Sequence, residues 1–176
     1  MAPAATGATG GGYTLTTNKQ WKTTNTTTAG TTSTYDGAAN SANMNNASHP
    51  AAEFCENLSI GGYTDWYLPA RYELDIAYEN LKPTTASNST SWGINAYAVP
   101  ARASNRTAGA PPQTSIAAFQ TGGAQAFVAA SHWSSTEGGA AFAWDLFFGD
   151  GAQASGAKYG DFSVGFCVRA FRKFAL

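Results

Sequence analysis

Aliphatic side chains are scarce: Leu, Ile, Val and Phe together number 25 of 176 residues, below the roughly one-fifth expected of a folded chain. Such a shortage marks disorder when it comes with high net charge, but here 10 basic residues face 11 acidic ones, leaving −1. The same balance argues against nucleic acid as a partner, because phosphate binding needs a basic face. The one basic cluster is Arg169, Arg172 and Lys173. No apolar run reaches the 18–20 residues or so of a bilayer-spanning helix, so membrane insertion is not expected. The N-terminal MAPAATGATGGG has neither a cationic start nor an apolar stretch, and no signal peptide is read there. Only two cysteines occur, Cys55 and Cys167, with no CxxC pair, so nothing points to structural zinc or a redox dithiol. Spacing alone leaves open whether they are free thiols or one long-range bridge.

What is abundant is aromatic and small. Five Trp, eight Tyr and ten Phe accompany 34 Ala and 19 Gly. Each ring can bury roughly 150–250 Å², so the expected core has few, large pieces packed against small ones. The length fits one domain.

Along the chain, residues 1–34 are Ala/Gly/Thr-rich and are expected to form a flexible or ribbon-like segment for linkage or assembly, with a first strand at Tyr13–Thr17. A helix is predicted from Pro50, capped by Ser48, with Phe54, Cys55 and Leu58 on one face and His49 exposed at its start. A second follows Leu68-Pro69: Leu74, Ala77, Tyr78 and Leu81 have helical spacing, Arg71, Glu73, Asp75 and Glu79 take solvent positions, and Pro83 ends it. Residues 83–112 have little periodicity, with Trp92, Ile94, Tyr97 and Val99 as anchors; loops of that length are often functional. A short helical turn is expected within 114–120. Strands are read at 131–136, 141–148 and 164–172, between glycine-rich turns. In the middle strand Phe142, Trp144, Leu146 and Phe148 are assigned to the core, and Ala143, Asp145 and Phe147 to a partly exposed face. Helices segregated from a small antiparallel sheet give an α+β class.

Catalytic patterns are weak. His132, Ser134 and Asp145 are the residue types of a hydrolytic triad, but no G-x-S-x-G elbow is present and two of them lie on one strand. Asp145, Asp150 and Asp161 are oxygen donors of the kind calcium takes, without EF-hand spacing. No cofactor or metal site is expected, and a binding role leads over an enzymatic one.

Three segments together resemble a known family. His49-Pro-Ala-Ala-Glu-Phe-Cys-Glu-Asn-Leu58 leads into Gly61-Gly-Tyr-Thr-Asp-Trp-Tyr-Leu-Pro-Ala70 and Glu73-Leu74. His132-Trp-Ser-Ser-Thr-Glu137 follows, then Ala143-Trp144, Phe148-x-x-Gly151, Lys158 and Val168-Arg-Ala-Phe-Arg172. This order, over about residues 35–174, resembles the Lcl C-terminal domain family of bacterial surface adhesins and phage tail or virion proteins. The resemblance implies a C-type lectin-like α+β fold over 35–176: two short helices, a small twisted antiparallel sheet and long irregular loops. It makes Trp66, Leu68, Pro69, Trp133, Ser134, Trp144, Arg169 and Arg172 structural. It also implies that Cys55 on the first helix and Cys167 on the last strand are adjacent, with a disulfide possible between them. Recognition would fall on a C-terminal loop face carrying Asp145, Phe147, Asp150, Tyr159, Asp161 and Phe162, since aromatics beside acids and small residues make a binding face at low entropic cost.

The expectation is a non-enzymatic virion or extracellular-surface recognition protein, a phage tail receptor-binding domain. Its partners would be a host-surface glycan or protein, other virion subunits and further copies of itself, a trimer being favoured. A structural virion subunit or a polysaccharide-binding adhesin are the alternatives.

Overall fold

The computed structural model of the chain describes residues 1–9, 18–159 and 166–174. Helix α1 (Ala4–Gly7) and strand β1 (Ala8–Thr9) are followed by helices α2 (Gly37–Ala42), α3 (Pro50–Glu56) and α4 (Arg71–Leu81), and then by strands β2 (Ser131–Glu137), β3 (Phe142–Phe147), β4 (Gln153–Ala157) and β5 (Val168–Arg169). Strands β2-β3-β4 form an antiparallel meander, and β1 pairs antiparallel with β5. A parallel bridge between His132 and Cys167 links the two sheets. The protein is therefore a small α+β protein with few helices and two small antiparallel sheets.

Both predicted helices form, but Ser48 does not cap the first: His49 is the N-cap of α3, and no side chain caps it. Pro50 occupies the first turn of α3, where a missing N–H costs no hydrogen bond. At the start of α4 the Glu73 carboxylate accepts the Ala70 N–H at 2.8 Å and the Gly37 N–H at 3.2 Å, closing two helix starts at once. Helix α2 lies in sequence too polar to show an apolar stripe. Asp36 caps it, its carboxylate accepting from Ala39 N–H.

The meander separates two cores. On one side Leu146 and Phe148 pack with Leu74, Ala77 and Tyr78 of α4 and with Phe127. On the other, Trp133 and Ala143 pack with Trp21, Met44, Cys55, Leu68 and Val168. Strand β3 runs between two partners with both faces covered, so Ala143 and Asp145 are buried rather than exposed, and Phe142 and Phe147 at its ends are the exposed residues. The expected in/out alternation is corrected to this extent.

Strand β2 gains two residues on β3 between Trp133 and Glu137. That bulge turns the Trp-Ser-Ser-Thr run outward to the rest of the chain. Ser135 N–H donates to Pro69 O, Glu137 N–H to Thr31 O, and Thr136 Oγ1 accepts from Arg71 N–H while donating to Ser33 O.

The N-terminal segment is packed where it is described. Ala2 N–H donates to Ala170 O, β1 pairs with β5, and Trp21 is fully buried, its indole N–H donating to Ser134 O. The Thr-rich run after Trp21 wraps a buried Lys158–Glu137 ion pair, with Thr28 N–H donating to Glu137 and Lys158 donating to Thr26 O. The strand expected at Tyr13–Thr17 lies outside the described residues.

Candidate functional site

Helix α4 carries two residues whose surroundings differ from the sequence expectation. Asp75, read as a solvent position, is fully buried. Its carboxylate accepts from Asn95 Nδ2 at 2.9 Å and Gln153 Nε2 at 3.0 Å, and pairs with Arg102 and Arg106. Arg106 also bonds Gly151 O at 2.9 Å and Glu79 at 3.2 Å, and lies over the Tyr78 ring. A buried carboxylate is tolerated only where its charge and lone pairs are met, and here the long loop meets them. Asn88 adds a second fastening, accepting from Tyr78 Oη at 2.6 Å and donating to Pro111 O at 2.9 Å. The irregular residues 83–112 are thus pinned to α4 at several points without regular secondary structure of their own.

Arg71, one turn N-terminal to Asp75, faces the same loop from the half-buried side. Its guanidinium lies 3.7 Å from the Trp144 ring centroid, 5.3 Å from Trp92 and 5.4 Å from Tyr72. Its Nε–H donates to Gln153 Oε1, the same amide that donates to Asp75. No carboxylate pairs with Arg71 among the described residues. Burial lowers its pKa from the usual guanidinium value, with the neighbouring Tyr72 opposing. Tyr72 continues the ring system to Tyr97 (5.6 Å), which stacks on Tyr35 at 4.3 Å. Tyr97 and Tyr35 are each about half exposed, at 50% and 52%. The result is a stripe of five rings with one oriented cation in it. Trp144, expected in the core, is half-buried and belongs to this stripe, meeting Trp92 edge-on at 6.2 Å.

The four expected recognition residues that the structure describes, Asp145, Phe147, Asp150 and Tyr159, do not converge. Asp145 is buried, its carboxyl facing Ser131 and the Gly156 backbone. Asp150 caps its own turn by accepting Ala152 N–H. Phe147 and Tyr159 are exposed, but Phe147 lies at one end of β3, and Tyr159 follows Ala157, which pairs with Phe142 at the other end. Asp161 and Phe162 lie outside the described residues. The expected structural residues are largely internal: Trp66, Leu68, Trp133, Ser134 and Arg169 are buried. Arg172 pairs with Asp65 over the Tyr63 ring.

The triad residue types point apart. His132 Nδ1 is bonded to Ala130 O, and Ser134 Oγ donates to Trp144 O. His49, expected to be exposed, is buried between Thr28 and Asn46. Among the described residues no three His, Cys, Asp or Glu side chains converge on a metal position. Helix α3 contributes Ala51, Ala52 and Cys55 to the same buried core as Val168. Both Cys55 and Cys167 are buried, and no disulfide joins them.

The sequence signal for the stripe was present in two pieces, Trp92 and Tyr97 as loop anchors and Arg71 as a solvent-facing helix residue. What joins them is the fold of the loop onto α4. No family model, curated protein or solved structure matches the chain.

Proposed function

We propose that this chain is a non-enzymatic recognition domain that binds a surface polysaccharide bearing acidic sugars across the Tyr35–Tyr97–Tyr72–Arg71–Trp92–Trp144 stripe. The observation that carries this reading is Arg71, an aromatic-collared guanidinium with no carboxylate partner among the described residues. Ring faces take the apolar face of a sugar, and a guanidinium takes a carboxylate or sulfate in a planar, two-pronged contact. Because the rings and Gln153 already hold Arg71, little of its rotamer entropy, about 2 kcal/mol in a free side chain, is left to lose on binding. A C-type lectin-like fold similar to the Lcl C-terminal domains, displayed on a virion or an extracellular surface, is the setting we propose. Phage host attachment is the role that fits it.

The test is a panel of acidic and neutral polysaccharides read by calorimetry. Acidic chains should bind; Arg71→Gln should weaken them about tenfold, the scale of one lost charge-assisted contact, and Tyr97→Ala should weaken acidic and neutral chains alike by removing a ring face. Equal binding of neutral and acidic chains, or undiminished binding by folded Arg71→Gln, would sink the reading. A second reading, a structural virion subunit, is favoured by the apolar residues that the loop exposes, Val99 at 99% and Ile94 at 53%. In that case Val99→Asp should dissociate an oligomer in sedimentation, and glycans should have no effect.

A further inference from the structure

Arg169 is 2% exposed, and its guanidinium has only neutral partners. Nε–H donates to Ala2 O at 2.8 Å, one Nη to Gln125 O at 3.0 Å and the other to Gln125 Oε1 at 3.1 Å, with the Phe127 ring 4.9 Å away. A guanidinium has five N–H bonds, so two remain, and no carboxylate pairs with it among the described residues. Burying a cation without a counter-charge is strongly unfavourable. A cavity of about 170 Å³ opens beside it, lined also by His132, Thr9, Phe127, Val128 and alanines.

The polar groups on that cavity differ in kind. His132 is 2% exposed, and its Nδ1 lies 2.9 Å from the Ala130 carbonyl, which can only accept. Nδ1 therefore carries the proton and Nε2 presents a lone pair. Burial lowers the His132 pKa to about 4, so the ring is neutral near pH 7. Thr9 Oγ1 accepts from Val168 N–H and keeps its own proton to give.

We infer that this cavity is a site for a small oxyanion carrying a hydroxyl of its own, with hydrogen phosphate as the simplest example. Arg169 and Thr9 donate to the anionic oxygens, and the ligand hydroxyl donates to His132 Nε2. The site stands apart from the aromatic stripe, so either can fail without the other.

The experiment follows the two histidine rings by ¹⁵N NMR while inorganic phosphate is added. His132 should shift saturably and His49 should stay still. Sulfate, which has no proton to give at neutral pH, should bind at least several-fold more weakly. Ala126→Leu, which fills the cavity without touching a charge, should abolish the shift, and Arg169→Lys, if folded, should weaken it about tenfold. A His132 ring that moves no more with phosphate than with sodium chloride at equal ionic strength overturns the site. Sulfate matching phosphate overturns the assigned ligand chemistry.

Discussion

Replacing Asp145 by asparagine should stabilise this protein at neutral pH and do nothing for it in acid. The carboxyl lies in the middle of β3, with both sheet faces covered, and is 4% exposed. Burial raises its pKa from 3.8 to about 6, although the Ser131 hydroxyl and Gly156 amide pull the other way. Because the folded state holds the proton more tightly than the unfolded chain, ionisation opposes folding. That opposition is complete above about pH 6 and disappears below the unfolded value. A gap of about two pKa units at 1.36 kcal/mol each gives about 3 kcal/mol as the upper figure. Urea denaturation of both proteins from about pH 8 to pH 3, with m-values compared, measures it. The Asn variant should lead by up to about 3 kcal/mol at the alkaline end, and the lead should close between about pH 6 and pH 4. Parallel curves would refute the argument. So would an Asn variant that loses ground as pH rises, which is the behaviour of a carboxylate paired with a cation.

Two further substitutions test the joint between loop and helix. Asp75→Asn keeps the side-chain shape and removes the charge that Arg102 and Arg106 share. It should cost about 3–5 kcal/mol, the usual penalty for breaking a buried ion pair, with faster hydrogen exchange at the Asn95 and Arg102 amides. Gly151 has φ +78°, and a Cβ there would lie 2.4 Å from the Tyr78 ring. Gly151→Ala should therefore lower the melting temperature, by about 2 kcal/mol of stability or more once left-handed strain and ring displacement are added.

The sequence was most legible where local chemistry and burial agree. Helix α4 follows its apolar spacing from Arg71 to Leu81, and α3 starts at the proline that marks it. It was least legible where long-range contacts override local pattern. Asp75 falls on the polar side of α4 by periodicity, yet arginines 27 and 31 residues later enclose it. Asp145 obeys strand alternation, but alternation assigns only a side of the sheet, and both sides here have a core. Polar sequence likewise concealed α2 and the packing of the Thr-rich run, because hydroxyls and amides replace apolar contacts there. The aromatic stripe draws on residues from 35 to 144 and has no linear signature.

The fastening of the 83–112 loop bears on how this protein can change over generations. Its attachments to the body run through Asn88, Asn95, Arg102, Arg106 and Pro111, whereas Ile94, Ala96, Tyr97, Val99 and Pro100 face outward. Substitutions at the outward positions should leave the anchoring network in place, so this face can vary with little loss of folding. The residues that hold the loop and those that line its outer face are thus interleaved along the chain but separate in role, one set fixing the backbone and the other free to differ.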